Sequence, residues 1–356
     1  MLVEEVLRRL VSNRDRIFER LKMIEAERID DGGSSWAEVD RSASRRPTVG
    51  VDGSCNYLSY KGVLLYAIDA EGVALRDRVE PLVRLADVDV LVPPGRAGYR
   101  VKVLMNILEL RAALYALKHD PDSLVLLDGS FLHMIERPPP ERPSYWDLDG
   151  GLEELEGTLE GPELELWCKR RIDELLPLFP GGERDERKVV LYEYLEYLEL
   201  LRKVLSPEYR DRVVAIAKSS ESTAIFRGLI PDIVKLEYSV QGSGFYWGDL
   251  EKIYRPPEVI GLPPQYAEFF CRLEFTVTYT RLEVGGPMVK VEVPGRRPRE
   301  EVARLLGSIA RASVQGYPYV LRRAHQDVVI TRRDMDTVAR VLGLDAYKTG
   351  REVVEQ

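Results

Sequence analysis

Two stretches of the chain end alike. The run Thr-Val-Gly-Val at 48–51 leads into Asp52-Gly53-Ser54, and Leu-Val-Leu-Leu at 124–127 leads into Asp128-Gly129-Ser130. Each places a carboxylate after a short apolar strand, the edge at which ligands of open α/β sheets usually bind. Between them Val103, Ile107, Leu110, Leu114 and Leu117 recur at helical spacing over 99–118, with Glu109 inside that apolar helix. Asp-Gly-Ser alone is an ordinary turn, glycine supplying positive φ and aspartate bonding the backbone. Two copies with an acid-bearing helix between them are harder to dismiss as turns, and hard carboxylate oxygens suit divalent cations. A pair of such ions about 4 Å apart offsets the repulsion between a phosphodiester and its nucleophile and stabilises the leaving oxygen.

A fourth candidate comes late. The chain has three histidines, at 119, 133 and 325, and His325 ends the stretch Gln-Gly-Tyr317-Pro-Tyr319-Val-Leu-Arg322-Arg323-Ala-His325. Asp327, two positions on, is a candidate to orient its imidazole.

The elements that must carry these residues are legible in outline. Residues 3–27 read as an amphipathic helix with Leu7, Leu10, Phe18, Leu21 and Ile24 on one broad face. Residues 30–46 read as a linker, and 58–69 with 74–83 as a hairpin closed at 70–72. The proline-rich run at 137–143 opens a helical insertion at about 136–210, which holds 19 acids against 11 bases and so carries the whole net charge of −8. Its helix over 189–205 sets Glu193, Glu196, Glu199 and Arg202 on one polar face, expected to meet solvent or a partner. Val213–Ala217 is a third apolar strand, running into Lys218-Ser219-Ser220. A proline-rich loop at 255–264, strands near 270–281 and 286–293, and helices at 299–311 and 333–342 follow.

At 356 residues the chain has room for one elaborated α/β domain or two smaller ones, given roughly 150 residues per domain. The expected division is 1–45 (helix and linker), 46–345 (catalytic domain with its insertion) and a tail at 346–356. Three cysteines without a CxxC pair argue against a disulfide framework or structural zinc. No apolar run approaches the roughly 20 residues of a membrane span, and Glu4 and Glu5 break any secretory signal, so a cytoplasmic protein is expected. Bases outnumber acids 12 to 7 from 281 to 340, clustered at Arg296-Arg297-Pro-Arg299, Arg322-Arg323 and Arg332-Arg333. Such clusters suit the backbone of a nucleic acid, which they would track without reading sequence.

Strand with Asp52, hairpin, helix with Glu109, strand with Asp128: this is the order of the ribonuclease H-like fold, so the expected class is α/β, a ribonuclease H-like mixed sheet flanked by helices. In Val-Asp52-Gly-Ser, Glu109, Leu-Leu-Asp128-Gly-Ser, Ala-Lys218-Ser-Ser and Gly-Tyr317-Pro-Tyr…Ala-His325, the chain also resembles the NurA nucleases of archaea and some bacteria. The resemblance extends over about 1–345; each motif is short, and their shared order and spacing make it specific. It implies a manganese site of Asp52, Glu109, Asp128 and His325, holding one or two ions with Mg²⁺ as the alternative. Tyr317 matches the family's tyrosine eight residues before the histidine, and Lys218 its lysine. The implied activity is a 5′→3′ exonuclease on single- and double-stranded DNA with single-strand endonuclease action. The implied assembly is a homodimer on a hexameric HerA-type ATPase, working with Mre11–Rad50 in end resection. In that setting the N-terminal helix serves the dimer or the motor; otherwise it packs on its own core.

Two other readings use the same residues. Actin-like ATPases and sugar kinases also place Asp-Gly turns after two strands, but need paired glycine-rich phosphate loops. Gly285-Gly286 is followed at once by Pro287, and that reading leaves Glu109 and His325 idle. A non-catalytic adaptor of a DNA motor would have no use for three convergent carboxylates.

Overall fold

A computed structural model describes residues 4–26, 35–40, 42–60, 62–139, 151–159, 166–175, 186–247, 253–254 and 262–344. The expected tail at 346–356 and most of the proline-rich loop at 255–264 lie outside them. The middle of the fold follows from strand burial. β5 (Leu124–Asp128) and β6 (Val213–Ala217) are apolar without alternation because both their faces are covered. Val125, Leu127, Val213 and Ala215 face one core, and Leu124, Leu126, Val214 and Ile216 face another. β2 (Thr48–Tyr60) runs parallel to β5, and β5 parallel to β6; every other pairing is antiparallel.

β3 (Val63–Leu75) and β4 (Val79–Val90) extend this trio as a meander beside β2. β10 (Val289–Pro294), β9 (Phe275–Arg281), β7 (Gly244–Tyr246) and β1 (Trp36–Ala37) extend it beyond β6, with β8 (Ile253–Tyr254) also on β9. The product is one large, mostly antiparallel sheet in the order β1-β7-β9-β10-β6-β5-β2-β3-β4.

One face carries α2 (Ala97–His119), which is apolar nearly all round because α6 (Glu186–Val204) covers the side turned from the sheet. The other carries α9 (Arg299–Arg311), α10 (Tyr319–Val328) and α11 (Arg332–Val341). α10 sits so close that a Cβ on Gly50 would lie 2.6 Å from the Val320 carbonyl carbon. α1 (Glu4–Ala26) forms as the sequence predicts, but Leu7, Leu10, Phe18, Leu21 and Ile24 are all exposed. Its apolar face is therefore not packed on the chain's own core.

Several expectations need correction. β2 does not end before Asp52; only its pairing with β5 stops at Val51, while its pairing with β3 continues to Tyr60. Asp52-Gly53-Ser54 is thus extended strand, not a turn. The hairpin turns fall instead at Gly62 and at 76–78, and Ala70-Glu71-Gly72 lies within β3. Apolar residues on both sides of Gly72 hid this, because a strand covered on both faces loses its alternation. The supposed linker contains β1, which pairs with β7, and the buried Val39. Residues 264–271 form a helix, α8 (Pro264–Cys271), so the later strand starts only at Phe275.

The largest correction concerns the acidic insertion. Glu193, Glu196 and Glu199 are buried. Glu193 binds Arg100 of α2 at 2.7 Å, Glu196 binds Arg111, and Glu199 accepts from Arg202 at 2.6 Å and from the Tyr266 hydroxyl at 3.1 Å. A glutamate row on a helix reads as solvated until its cationic partners are known, and those of Glu193 and Glu196 stand 93 and 85 residues upstream on a helix that reads as apolar.

Candidate metal centre

Asp52 and Asp128 come together because β2 and β5 are parallel neighbours whose pairing ends just before them. Asp52 is buried and its Oδ1 accepts the Gly53 N–H at 2.9 Å. α10 lies across β2 on the Asp52 face and brings in His325, whose Nδ1 is 2.8 Å from Asp52 Oδ2 across 273 residues of sequence. One ligand atom each from Asp52, Asp128 and His325 can be chosen so that all lie within 4.8 Å of one another. Burial, then the neighbouring Asp128 charge, raise the Asp52 pKa, and the His325 hydrogen bond opposes them.

Glu109 arrives from the opposite face of β2. A Cβ on Gly53 would lie 2.7 Å from Glu109 Cγ, so glycine is required for helix and strand to approach this closely. Glu109 is buried, held through Oε2 by the Asn106 side-chain amide one turn earlier, and its pKa is pushed up to about 7, chiefly by burial. The charges of Asp52 and Asp128 add to that shift, while Lys102 opposes it.

Lys218, at the end of β6, places Nζ 2.6 Å from Asp128 Oδ2 and 5.1 Å from the centre of the Tyr317 ring. Tyr317 opens β12 (Tyr317–Pro318), which pairs with β11 (Ser313–Val314). That hairpin docks where Gly286 and Gly316 touch, a Cβ on Gly316 falling 2.7 Å from Gly286 Cα, with Gly316 N donating to Glu283 at 2.8 Å. Gly285-Gly286 therefore seats the hairpin that presents Tyr317. The Tyr317 hydroxyl is buried beside Asp128, and burial followed by the charges of Asp128 and Asp52 lifts its pKa well above the phenol range.

Of the six residues singled out as catalytic, Asp52, Asp128 and His325 bring their ligand atoms together, Lys218 and Tyr317 adjoin Asp128, and Glu109 packs on Gly53 from the other face of β2. Asp327 does not join them: it binds Arg323 at 2.7 Å, because residues two apart on a helix point away from each other. The orienting carboxylate of His325 is Asp52 itself. Among the basic clusters, Arg297 is engaged by Asp211 and Glu301, Arg322 by Gln315 and the Val314 carbonyl, and Arg332 pairs with Asp336. Arg296 and Arg299 are exposed.

Two supporting carboxylates escaped the sequence reading. Asp69 faces Ser54 across the β2–β3 ladder, on the same side as Asp52. Its Oδ1 is buried without a partner, and burial, reinforced by Asp52 and Glu71, raises its pKa to about 7. Glu292, fully buried on β10, accepts the Ser130 hydroxyl at 2.7 Å, the Leu132 N–H at 3.1 Å and Lys290 at 2.6 Å. It anchors the turn after Asp128 and the start of α3 (Phe131–Glu136). Nothing local marks either residue; only strand register reveals them.

The NurA domain family model matches residues 46–330. The chain is 25% identical over 353 residues to the DNA double-strand break repair nuclease NurA of Sulfurisphaera tokodaii, covering 96% of each. It is 24% identical over 364 residues to the probable DNA double-strand break repair nuclease NurA of Methanocaldococcus jannaschii, covering 94% of this chain and 88% of the relative. The crystal structure of the NurA nuclease from Sulfolobus solfataricus superposes with a TM-score of 0.76 at 23% identity, over 97% of both chains. A structure of NurA bound to dAMP and manganese superposes at 0.70 and 16%, over 97% of this chain and 98% of the other. These likenesses establish the fold as the one seen in NurA crystal structures.

Proposed function

The chain belongs to the NurA family, and from that membership we propose that it is a divalent-metal-dependent DNA nuclease whose centre is Asp52, Glu109, Asp128 and His325. The observation that carries the reading is the meeting of two carboxylates and an imidazole within 4.8 Å, with Glu109, Lys218 and Tyr317 around them. The donor set fits a hard cation such as Mn²⁺ or Mg²⁺. Burial raises the pKa of Asp52 and Glu109, and the repulsion of neighbouring carboxylates adds to it. A bound cation supplies Lewis acidity and offsets the charge of the phosphate.

The chain's own side chains do the rest. Asp52 fixes the orientation of His325 through Nδ1. Lys218, beside Asp128 and partly exposed, can pass its charge to a non-bridging phosphate oxygen, and the neighbouring Tyr317 hydroxyl can donate to the same phosphate. Gly53 and Asn106 hold Glu109 against the cluster.

The finer reading rests on the family resemblance. It comprises a ribonuclease H-like core, 5′→3′ exonuclease action on single- and double-stranded DNA, single-strand endonuclease action, a homodimer on a hexameric HerA-type ATPase, and work with Mre11–Rad50 in end resection. Supporting it, β4-β3-β2-β5-β6 place the acids on adjoining parallel strands beside an acid-bearing helix, and α1 leaves an apolar face open. Exposed Arg296, Arg299 and Arg323, with Arg297 and Arg322, are the basic groups offered to DNA. Among the described residues no helix is long and apolar enough to cross a membrane.

The test is degradation of 5′- and 3′-labelled single-stranded DNA in Mn²⁺, Mg²⁺ or EDTA, with Asp52→Ala purified in parallel. Metal-dependent loss by the wild type alone is expected, and the label lost first gives the polarity. Equal cleavage by both proteins would sink the assignment of the site. Absence of cleavage by either, with a HerA-type ATPase present, would favour the adaptor.

A further inference from the structure

Each Asp-Gly-Ser segment has a serine that the metal centre leaves without a role. Ser54 and Ser130 stand two residues after Asp52 and Asp128, and each commits its hydroxyl to a different element of the fold.

α10 lies along β2 in register. Val320 meets Gly50, His325 meets Asp52, and Ile330, two residues past the end of α10, meets Ser54. These rungs fall on alternate residues of β2 and therefore on one face. The last rung holds both backbone groups of Ile330: its N–H donates to Ser54 Oγ at 3.1 Å, and its carbonyl accepts from Asn56 Nδ2 at 3.1 Å. The His325 side chain is 56% exposed, so packing does little to confine it. Where its imidazole sits over Asp52 depends on where the ends of α10 are fixed.

Ser130 serves the other aspartate in the same way. Asp128 ends β5, and Gly129, at φ +142°, turns the chain away. Glycine adds no stiffness of its own, so the bonds that follow it set the direction of Asp128. Ser130 Oγ donates to Glu292 Oε1 at 2.7 Å and accepts the His133 N–H at 3.1 Å, while the Leu132 N–H donates to Glu292 Oε2 at 3.1 Å. Glu292 is fully buried and held by Lys290 at 2.6 Å, so these are bonds to a carboxylate in a dry interior, where they are strong.

We propose that both serines are positioning residues of the metal centre: Ser54 fixes His325 through the end of α10, and Ser130 fixes Asp128 through Glu292. The proposal rests on the reading of these groups as a metal centre and adds the two tethers that hold its shape. Removing a group that orients a metal ligand typically changes metal affinity or activity by roughly 10–100-fold.

The test is Mn²⁺ affinity by calorimetry, with the melting temperature measured alongside. Ser54→Ala and Ser130→Ala should each bind Mn²⁺ about tenfold or more weakly, and Ser54→Thr and Ser130→Thr, which keep the hydroxyl, should recover most of that loss. Ser123 is the control: buried just before the other end of β5, its hydroxyl donates to Asp120 at 2.6 Å. Ser123→Ala should lose stability as the other two do and keep the wild-type affinity. A second readout needs no cation. In the metal-free protein the imidazole resonances of His325 should shift in Ser54→Ala and stay in place in Ser130→Ala. Either alanine variant at wild-type affinity, a Ser123→Ala variant as weak as they are, or an unmoved His325 in Ser54→Ala overturns the proposal. A wild type that binds no Mn²⁺ removes the metal centre, and the role of the tethers with it. One that binds Mn²⁺ but leaves DNA uncut overturns the nuclease reading alone, because the tethers are read through affinity.

Discussion

Gly53 is the residue on which two faces of the sheet depend. Asp52 points to α10, while Glu109 comes from α2 and packs where Gly53 has no side chain. Gly53→Ala should displace Glu109 by a large fraction of an ångström, cutting kcat/KM about 10²-fold with a small change in melting temperature. Unchanged kinetics would show that Glu109 need not approach β2. Glu109 also makes a pH prediction. Its pKa is about 7 in the fold against roughly 4.3 unfolded, so the folded state holds its proton more tightly. The stability this gives is complete below pH ~4.3 and is lost as pH rises through 7, on the order of 3 kcal/mol in all. The metal-free protein should therefore melt lower at pH 8 than at pH 6, and Glu109→Gln should flatten that slope without abolishing it, since Asp69 also titrates near 7. Mn²⁺ should bind more tightly as pH rises through the same window, measured by calorimetry. The candidate residues that gather here were legible because acids after apolar runs and a late histidine have recognisable neighbours in sequence. Asp69 and Glu292 were not, because their meaning lies in ladder partners that local sequence does not name.

At the scale of elements, α2 is placed from both sides. Its Glu109 side meets β2, while Arg100 and Arg111 are tied to Glu193 and Glu196 of α6. Arg100 and Glu193 are 1% and 2% exposed, so removing one partner leaves a buried charge. Glu193→Ala should cost about 3–5 kcal/mol in urea unfolding, whereas the double change Arg100→Met, Glu193→Leu should cost far less. If both variants lose the same amount, packing rather than charge holds the helices. On the opposite face, a methyl on Gly50 would press on the backbone of α10 at Val320. Gly50→Ala should cost about 1–3 kcal/mol by the same measurement and lower activity by shifting His325. Helix periodicity located α1, α2, α6, α9 and α11 within a few residues of their bounds. The extent of β3 escaped because its middle, covered on both faces, carries no alternation, and α6 was misjudged because a helix shows its charges but not their partners on other elements.

At the scale of the whole molecule, α1 is the part left unfinished. A helix with Leu7, Leu10, Phe18, Leu21 and Ile24 in water is expected to seek cover, and the proposed homodimer supplies it. Sedimentation should therefore show the full chain heavier than a monomer and a chain lacking 1–26 at monomer mass; equal association states would clear α1 of that role. The division of labour along the sequence has another outcome. Asp52, Glu109 and Asp128 lie in the first half of the chain, while His325 and α10, which roofs β2, lie near its end. During synthesis at about 5–20 residues per second, the carboxylates wait on the order of tens of seconds for their imidazole. A ribosome that stalls or terminates early releases a chain whose β2 face is open and whose centre lacks its fourth group. On the proposed nuclease reading, a fragment that ends before α10 lacks this imidazole, so cutting would begin only once translation has run nearly to completion.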